Sequence, residues 1–152
     1  MSVVFRAPLP GDAERLTENM RQADRDEVVA STGDNVLRAA RLSIGASESC
    51  KVAECDGELL CIWGIAPLSL LSDEAAPWLL GTPAIYRHAR LLTRTARGYC
   101  QDALGRYQLL ANYVDARNTA SIRWLRRIGF ELQPPEPHGV AGLPFHRFEM
   151  RA

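Results

Sequence analysis

The stretch that decides the fold runs from Gln108 to Leu132 and reads QLLANYVDARNTASIRWLRRIGFEL. The apolar run at 109–114 has the length of a buried strand. Asn118 predicts the start of a helix, because its side-chain oxygen can accept the unpaired amide of Ala120 or Ser121. This half of the stretch therefore predicts a strand, a short turn and a helix N-terminus.

The rest of the stretch predicts an amphipathic helix and a second strand. Ile122, Leu125 and Ile128 fall on one helical face. Gly129 stands where a residue with positive φ ends a helix, and Phe130 begins the next strand. Taken alone, this pattern is an ordinary strand–helix–strand unit.

The same residues resemble a family motif. Asn118, Ser121, Gly129 and Phe130 have the spacing of the C-terminal motif of the GNAT acyltransferase superfamily, Asn-x-x-Ala/Ser-x-x-x-Tyr-x-x-x-Gly-Phe. Leu125 occupies the position of the motif's tyrosine. Together with Leu125, the run also resembles the GNAT-like morphogenesis proteins of short-tailed phages, mainly over residues 35–132.

Composition bounds the class of protein. The chain has 152 residues, 47% of them hydrophobic and 24% charged, so we expect one globular domain over residues 1–152. A formal net charge of zero gives no bulk electrostatic reason to expect a nucleic acid or membrane partner. The N-terminus lacks the layout of a signal peptide, which predicts a cytoplasmic protein, in the host cytoplasm if a phage encodes it. The four cysteines lack metal-ligand spacing, so we expect free thiols and no metal.

The first half predicts a strand, two charged helical segments and a hairpin. A short strand at 3–7 precedes a helix or helix pair, predicted as solvent-exposed, and a further helix from Asn35 to Ile44 with Gly45 as its C-cap. Asp56-Gly57 lies between two strand-like runs and predicts a type I′ turn. Strict alternation in the second run places Leu60 on the same face as Ile62.

The second half predicts a strand at 76–81, a long helix entered at Thr82-Pro83, the opening stretch and a final strand at 145–150. The order of elements indicates an α+β domain with a mixed, mostly antiparallel sheet of about six or seven strands and helices on both faces. The GNAT resemblance implies the same architecture.

The resemblance also implies acetyl-CoA as cofactor. It places the pantetheine against the backbone of Leu79, Leu80 and Gly81, and the pyrophosphate at the start of the helix that follows. The sequence there, TPAIYRHARLL, lacks the family's glycine-rich loop, so phosphate contacts are expected from the side chains of Arg87 or His88. Asn118 and Ser121 complete the predicted cofactor site.

The catalytic groups are less defined. Because Leu125 cannot donate a proton, Tyr113 is the candidate acid. Four carboxylates are open candidates for the general base, and spacing selects none of them: Glu58, Asp73, Glu74 and Asp115. His88 and His146 titrate in a useful range, but lone histidines are more often structural.

An arginine pattern accompanies the long helix. Arg87, Arg90, Arg94 and Arg97 follow helical spacing on the face opposite the apolar stripe. A solvated face explains such a pattern, while capture of a phosphate-rich ligand or a partner surface are the alternatives.

Two functions follow. The first is an N-acyltransferase that moves an acetyl group from acetyl-CoA to a small-molecule or protein amine. The second is a GNAT-like phage or prophage protein without catalysis that binds protein partners during virion assembly. The sequence indicates neither the acceptor nor the oligomeric state.

Overall fold

One mixed sheet forms the centre of the computed structural model, which describes residues 2–152. Within those residues the sheet has eight strands: β1 Val3–Arg6, β2 Ser49–Cys55, β3 Glu58–Pro67, β4 Glu74–Gly81, β5 Leu109–Asp115, β6 Glu131–Leu132, β7 Glu136–His138 and β8 Leu143–Arg151. The strand order is β1-β2-β3-β4-β5-β8-β6, and β7 also pairs with β8. Every pairing is antiparallel except that of β4 with β5. The predicted α+β class and mostly antiparallel sheet are confirmed.

Helices cover both faces of this sheet. They are α1 Asp12–Glu18, α2 Gln22–Thr32, α3 Val36–Ala46, a 3₁₀ helix Pro83–His88, α4 Ala89–Ala103 and α5 Thr119–Ile128. Leu16 of α1 and Ala40 of α3 pack with Ile62 and Leu80 on one face. On the other face the apolar sides of α4 and α5 pack over the sheet, as Cys100 and Leu125 do against β5. No helix within residues 2–152 is long and apolar enough to span a membrane.

The parallel pair β4 and β5 separates soon after it forms. The two strands are in register only at Glu74 with Leu109 and at Ala75 with Leu110. Beyond these positions they diverge toward their C-terminal ends, Gly81 and Asp115. The divergence opens a cleft through the middle of the sheet.

The stretch from 108 to 132 folds as predicted. Asn118 caps α5, with its Oδ1 accepting the amide of Ser121 at 3.4 Å. Gly129 follows the helix with φ +121°, a conformation that L side chains rarely adopt. Phe130 then packs edge-on against Phe148 of β8, with ring centroids 5.0 Å apart.

The predicted turn between β2 and β3 is confirmed, but the predicted alternation of side chains along β3 is wrong. Asp56 and Gly57 have φ of 51° and 80°, as a type I′ turn requires. A register shift opposite Ala53 and Glu54 breaks the predicted alternation. Leu60 therefore packs with Cys61 in the cluster that α4 covers, whereas Ile62 packs under α1 and α3.

Four details of the elements differ from the prediction. Thr82 stands at the N-cap position and Pro83 at the first residue of a helical segment, as predicted, but the hydroxyl of Thr82 donates to the carbonyls of Leu59 and Leu60 in β3 instead of capping. The segment after it is the 3₁₀ helix, and α4 begins only at Ala89. Gly45 lies inside α3 instead of ending it, and the Pro-rich loop contains the unpredicted strand β7.

Candidate functional site

The cleft between β4 and β5 is a cavity of about 410 Å³ that passes from the α2 side of the sheet to the side of α4 and α5. On the α2 side its walls include Glu27, Trp78, Tyr113 and His138. On the other side they include residues of β3, α4 and α5: Trp63, Thr95, Tyr99, Ser121, Trp124 and Leu125. The chain has three tryptophans and all of them line this cavity.

On the edge of β4 that faces the cleft, Leu79 lies between Pro77 and Gly81, whose backbone groups already have hydrogen-bond partners. The carbonyl of Pro77 accepts from Nδ2 of Asn112 at 2.9 Å. The amide of Gly81 donates to Oδ2 of Asp24 at 2.9 Å, and its carbonyl accepts from the amide of Arg21 at 2.8 Å. Since backbone groups alternate in direction along a strand, those of Leu79 point to the same cleft.

Helix α2 lies across the diverging ends of the two strands. Asp24, Glu27, Val28 and Ser31 fall at i, i+3, i+4 and i+7, so they share one face of α2, and all four line the cavity. Two carboxylates of this face accept strand amides, Asp24 from Gly81 of β4 and Glu27 from Asp115 of β5. The helix thus holds the open ends of the cleft at a fixed separation.

Of the two acids on this face, Glu27 is the one without a cationic partner among the described residues 2–152. Its Oε1 accepts from the amide of Asp115 at 2.8 Å and from Nδ2 of Asn118 at 3.4 Å. No hydrogen bond within residues 2–152 reaches its Oε2. Burial, together with the nearby carboxylate of Asp24, raises the pKa of Glu27 to about 7. A carboxylate with this pKa can exchange protons near neutral pH.

Arg21 connects the two sides of the cleft mouth. Its guanidinium pairs with Asp24 through contacts of 2.9 and 3.0 Å and also donates to Tyr86 in the 3₁₀ helix and Ser121 in α5, each at 3.3 Å. Arg21 and Asp24 are both buried. Burial raises the pKa of Asp24, and the donors from Arg21, Gly81 and Asn118 oppose that shift.

Tyr113 lies on the α2 side of β5 and lines the cavity. Its ring stacks on His138 of β7, with centroids 3.8 Å apart and planes 12° from parallel. The guanidinium of Arg147 lies 5.9 Å from the centre of the same ring. These contacts fix the plane of the tyrosine.

The residues predicted from sequence are brought together only in part. Four of them line the cavity: Leu79, Leu80, Tyr113 and Ser121. Asn118 lies directly behind Asp24 and Glu27 as a donor to both. Arg87 and His88 lie on the 3₁₀ helix outside the cavity lining, and Arg87 is bound to Glu58 in an exposed ion pair.

None of the four candidate bases proposed from sequence lines the cavity. Glu58 pairs with Arg87, and the buried carboxylate of Asp115 is held by Arg117 at 2.7 Å. Sequence reasoning missed Asp24 and Glu27, which it placed on a solvent-exposed helix. The available signal was their helical spacing with Val28 and Ser31, which puts two acids on an inward face.

The structure also locates the arginine pattern and the cysteines. Arg87, Arg90, Arg94 and Arg97 are all exposed. The four cysteines are free thiols, and three of them are buried. Residues 2–152 contain no cluster of histidine, cysteine or acidic side chains that could hold a metal ion.

The fold is that of the GNAT acyltransferases. It is similar to an acetyltransferase of the GNAT family from Streptococcus pneumoniae, with a TM-score of 0.64 at 14% identity over 99% of both chains. It is also similar to a ribosomal-protein-alanine N-acetyltransferase from Brucella melitensis, with a TM-score of 0.70 at 15% identity over 98% of this chain and 99% of that one. A third similar structure is a candidate acetyltransferase from Salmonella typhimurium, solved with acetyl-CoA, with a TM-score of 0.67 at 16% identity over 99% and 94% of the two chains.

The sequence itself matches no family model and no curated protein. At identities this low, the structural similarity establishes the fold and leaves the substrate open. The similar structures give no support to the narrower likeness to phage morphogenesis proteins.

Proposed function

We propose that this protein is an N-acyltransferase that moves an acetyl group from acetyl-CoA to an amine. The observation that carries the proposal is the cleft between β4 and β5, which passes through the sheet and has Glu27 at its α2 side. A donor can enter such a cleft from one face while an acceptor enters from the other. The two substrates then meet inside the sheet.

The half of the cleft on the side of α4 and α5 is proposed to bind the acetyl donor, and it suits an extended molecule with amide groups. Acetyl-CoA would supply the acetyl group as a thioester. The backbone of Leu79 faces the cleft between two residues whose backbone groups are already bonded. Trp63 lines the same half, and within residues 2–152 its Nε1 is the buried side-chain polar atom without a hydrogen-bond partner. An unpaired buried donor costs about 1–3 kcal/mol, so a ligand carbonyl would be stabilised there.

The phosphate groups of acetyl-CoA would be bound by side chains. Pro83 has no amide to offer and Gly81 has none free, which agrees with the absence of a glycine-rich loop. Arg87 is bound to Glu58 only through an exposed pair, and such pairs contribute roughly 0–1 kcal/mol. Arg87 can therefore leave Glu58 for a phosphate at little cost, and His88 and Ser121 are the other polar groups proposed for this end.

Glu27 is proposed as the general base. It has one carboxylate oxygen without a hydrogen bond and a pKa of about 7, because burial disfavours its charged form. In its ionised form it would accept a proton from the acceptor ammonium and so expose the nitrogen lone pair. The freed nitrogen would attack the thioester carbonyl, so that the amide bond forms as the carbon–sulfur bond breaks. Tyr113, held in place by His138, is the proposed donor of a proton to the leaving thiolate, since Leu125 occupies the position of the motif's tyrosine.

Calorimetric titration with acetyl-CoA tests the donor site. We expect micromolar binding to the wild-type protein and its loss in Thr95→Trp, which would fill the cleft from α4. Arg94→Trp is the matched control, since its exposed side chain lies on the same helix outside the cavity lining. Equal binding by both variants, or no binding by a folded wild type at millimolar ligand, would sink the proposal.

One observation favours a second candidate, a GNAT-like protein without transfer activity that binds protein partners. Both backbone groups of Gly81, a predicted contact of the cofactor, are bonded within the chain, to Asp24 of α2 and to Arg21 directly before it. The same titration separates the two functions, because the second predicts no acetyl-CoA binding.

A further inference from the structure

The half of the cleft on the α2 side has a composition of its own, and we name it the acceptor chamber. Strand pairing shows which residues face this chamber. Phe145 of β8 pairs with Asp115 of β5, so Phe145 and Tyr113 lie on the same face of the sheet. The residues that define the chamber are Asp24, Glu27, Val28, Ser31, Thr32, Trp78, Tyr113, His138 and Phe145. Four of these nine residues are aromatic, and α2 contributes the other five, among them two acids and two hydroxyls.

The charge of the chamber is concentrated at one point. Asp24 and Glu27 are acidic, and no lysine or arginine within residues 2–152 lines the cavity. Arg21 neutralises Asp24 through a bidentate contact. Among residues 2–152, the donors to Glu27 are neutral: the amide of Asp115 and Nδ2 of Asn118. When ionised, it is an unpaired negative charge beside an apolar space, which favours one cationic group.

The aromatic walls are rigid. His138 stacks on Tyr113 and meets Phe145 edge-on at 5.2 Å between centroids. Trp78 is fixed by a hydrogen bond of 2.7 Å from its Nε1 to Oγ of Ser47. Gly64 beside it allows the ring to approach β3 closely, because a Cβ at that position would lie 2.9 Å from the same nitrogen. Fixed aromatic faces bind apolar bodies and also attract a cation.

We propose that the acceptor is an amine with a single positive charge on an apolar or aromatic body. Its ammonium lies beside Glu27, and its body packs between Trp78, Tyr113 and His138. The inference rests on the proposed function in treating the chamber as the acceptor side. It disfavours hydroxyl-rich polycations, because their further ammonium groups would be desolvated without an anionic partner.

Equilibrium binding of amines without acetyl-CoA tests this class directly. The probes are 2-phenylethylamine, its neutral analogue 2-phenylethanol and the polycation kanamycin, followed by the fluorescence of the three tryptophans. We expect saturable binding of 2-phenylethylamine and binding of 2-phenylethanol that is about tenfold weaker, the size of effect expected for losing one charge-assisted hydrogen bond. Kanamycin should cause no saturable change.

A variant pair assigns the effect to one carboxylate. Glu27→Gln keeps an oxygen that can accept from Asp115 and Asn118, so it should fold, and its melting temperature checks this. Glu27→Gln should weaken the binding of 2-phenylethylamine about tenfold and leave the binding of 2-phenylethanol unchanged. Glu131→Gln, at an exposed position of β6, should match the wild type for both probes.

The outcomes separate this inference from the proposed function. Acetyl-CoA binding without binding of 2-phenylethylamine, or with equal affinity for the amine and the alcohol, would overturn the inference and leave the donor site standing. Tighter binding of kanamycin than of 2-phenylethylamine would also overturn it. Selective amine binding that depends on Glu27, in a protein that does not bind acetyl-CoA, would support the chamber and reject the transferase.

Discussion

Glu27→Gln should change how the stability of the protein depends on pH. In the folded protein, burial and the nearby carboxylate of Asp24 raise the pKa of Glu27 from about 4.5 to about 7. The folded state therefore binds more protons than the unfolded state between these values, and stability falls as the pH rises through them. Below this window both states are protonated and Glu27 carries no penalty.

The magnitude follows from the pKa difference. At about 1.4 kcal/mol per pKa unit, the rise from about 4.5 to about 7 corresponds to about 3.5 kcal/mol, which is fully expressed above pH 8. The variant lacks this penalty and keeps the hydrogen bonds from Asp115 and Asn118. Its advantage in unfolding free energy over the wild type should thus grow by about 3 kcal/mol between pH 4.5 and pH 8.

Urea denaturation of both proteins at several pH values measures this difference. For a chain of this length, about 3 kcal/mol corresponds to roughly 6–12 °C in melting temperature, so calorimetric melting provides a second readout. Glu131→Gln, at an exposed position, is the control and should show no such trend. A stability difference for Glu27→Gln that is constant with pH, or that grows toward acid, would refute the raised pKa of Glu27.

Three further predictions follow from the same geometry. Asn118→Ala should lower the unfolding free energy by about 1–2 kcal/mol, measured by urea denaturation, because it removes the cap on Ser121 and the donor to Asp24; an unchanged stability would mean that the cap contributes nothing. Gly64→Ala should destabilise by about 2 kcal/mol or more, because its Cβ would meet Oγ of Ser47 at 2.7 Å and the carbonyl of Ser49 at 2.8 Å. Its control, Gly98→Ala in α4, has no atom within 4 Å of the added Cβ and should stabilise by about 0.5–1 kcal/mol, so the reverse order would contradict the packing around β3. Arg87→Glu should weaken acetyl-CoA binding about tenfold in calorimetry if it contacts a phosphate, whereas Arg94→Glu should not, and equal effects would show only a general loss of positive charge.

Features that depend on nearby residues could be predicted from the sequence. Asn118 caps a helix that starts one residue later, and Gly129 takes a positive φ directly after that helix ends. The Asp56-Gly57 turn is decided by two residues whose backbone preferences are intrinsic. Such local signals, in the right order along the chain, were enough for the fold class.

Features that depend on residues far apart in the chain could not be predicted from the sequence. The hydroxyl of Thr82 is drawn to the carbonyls of Leu59 and Leu60, so the long helix starts later than its capping signals indicate. Glu27 is 88 residues from Asp115, and only the fold brings its carboxylate to that amide. Charged residues in helices usually face solvent, so the general rule pointed away from the inward acids of α2.

A crystal structure of the protein with acetyl-CoA tests the central claim most directly. The account predicts the pantetheine between β4 and β5, with its amides or thioester in hydrogen-bond contact with the backbone of Leu79 and the acetyl group directed toward Glu27. Acetyl-CoA bound elsewhere on the surface, with the cleft between β4 and β5 left empty, would contradict it.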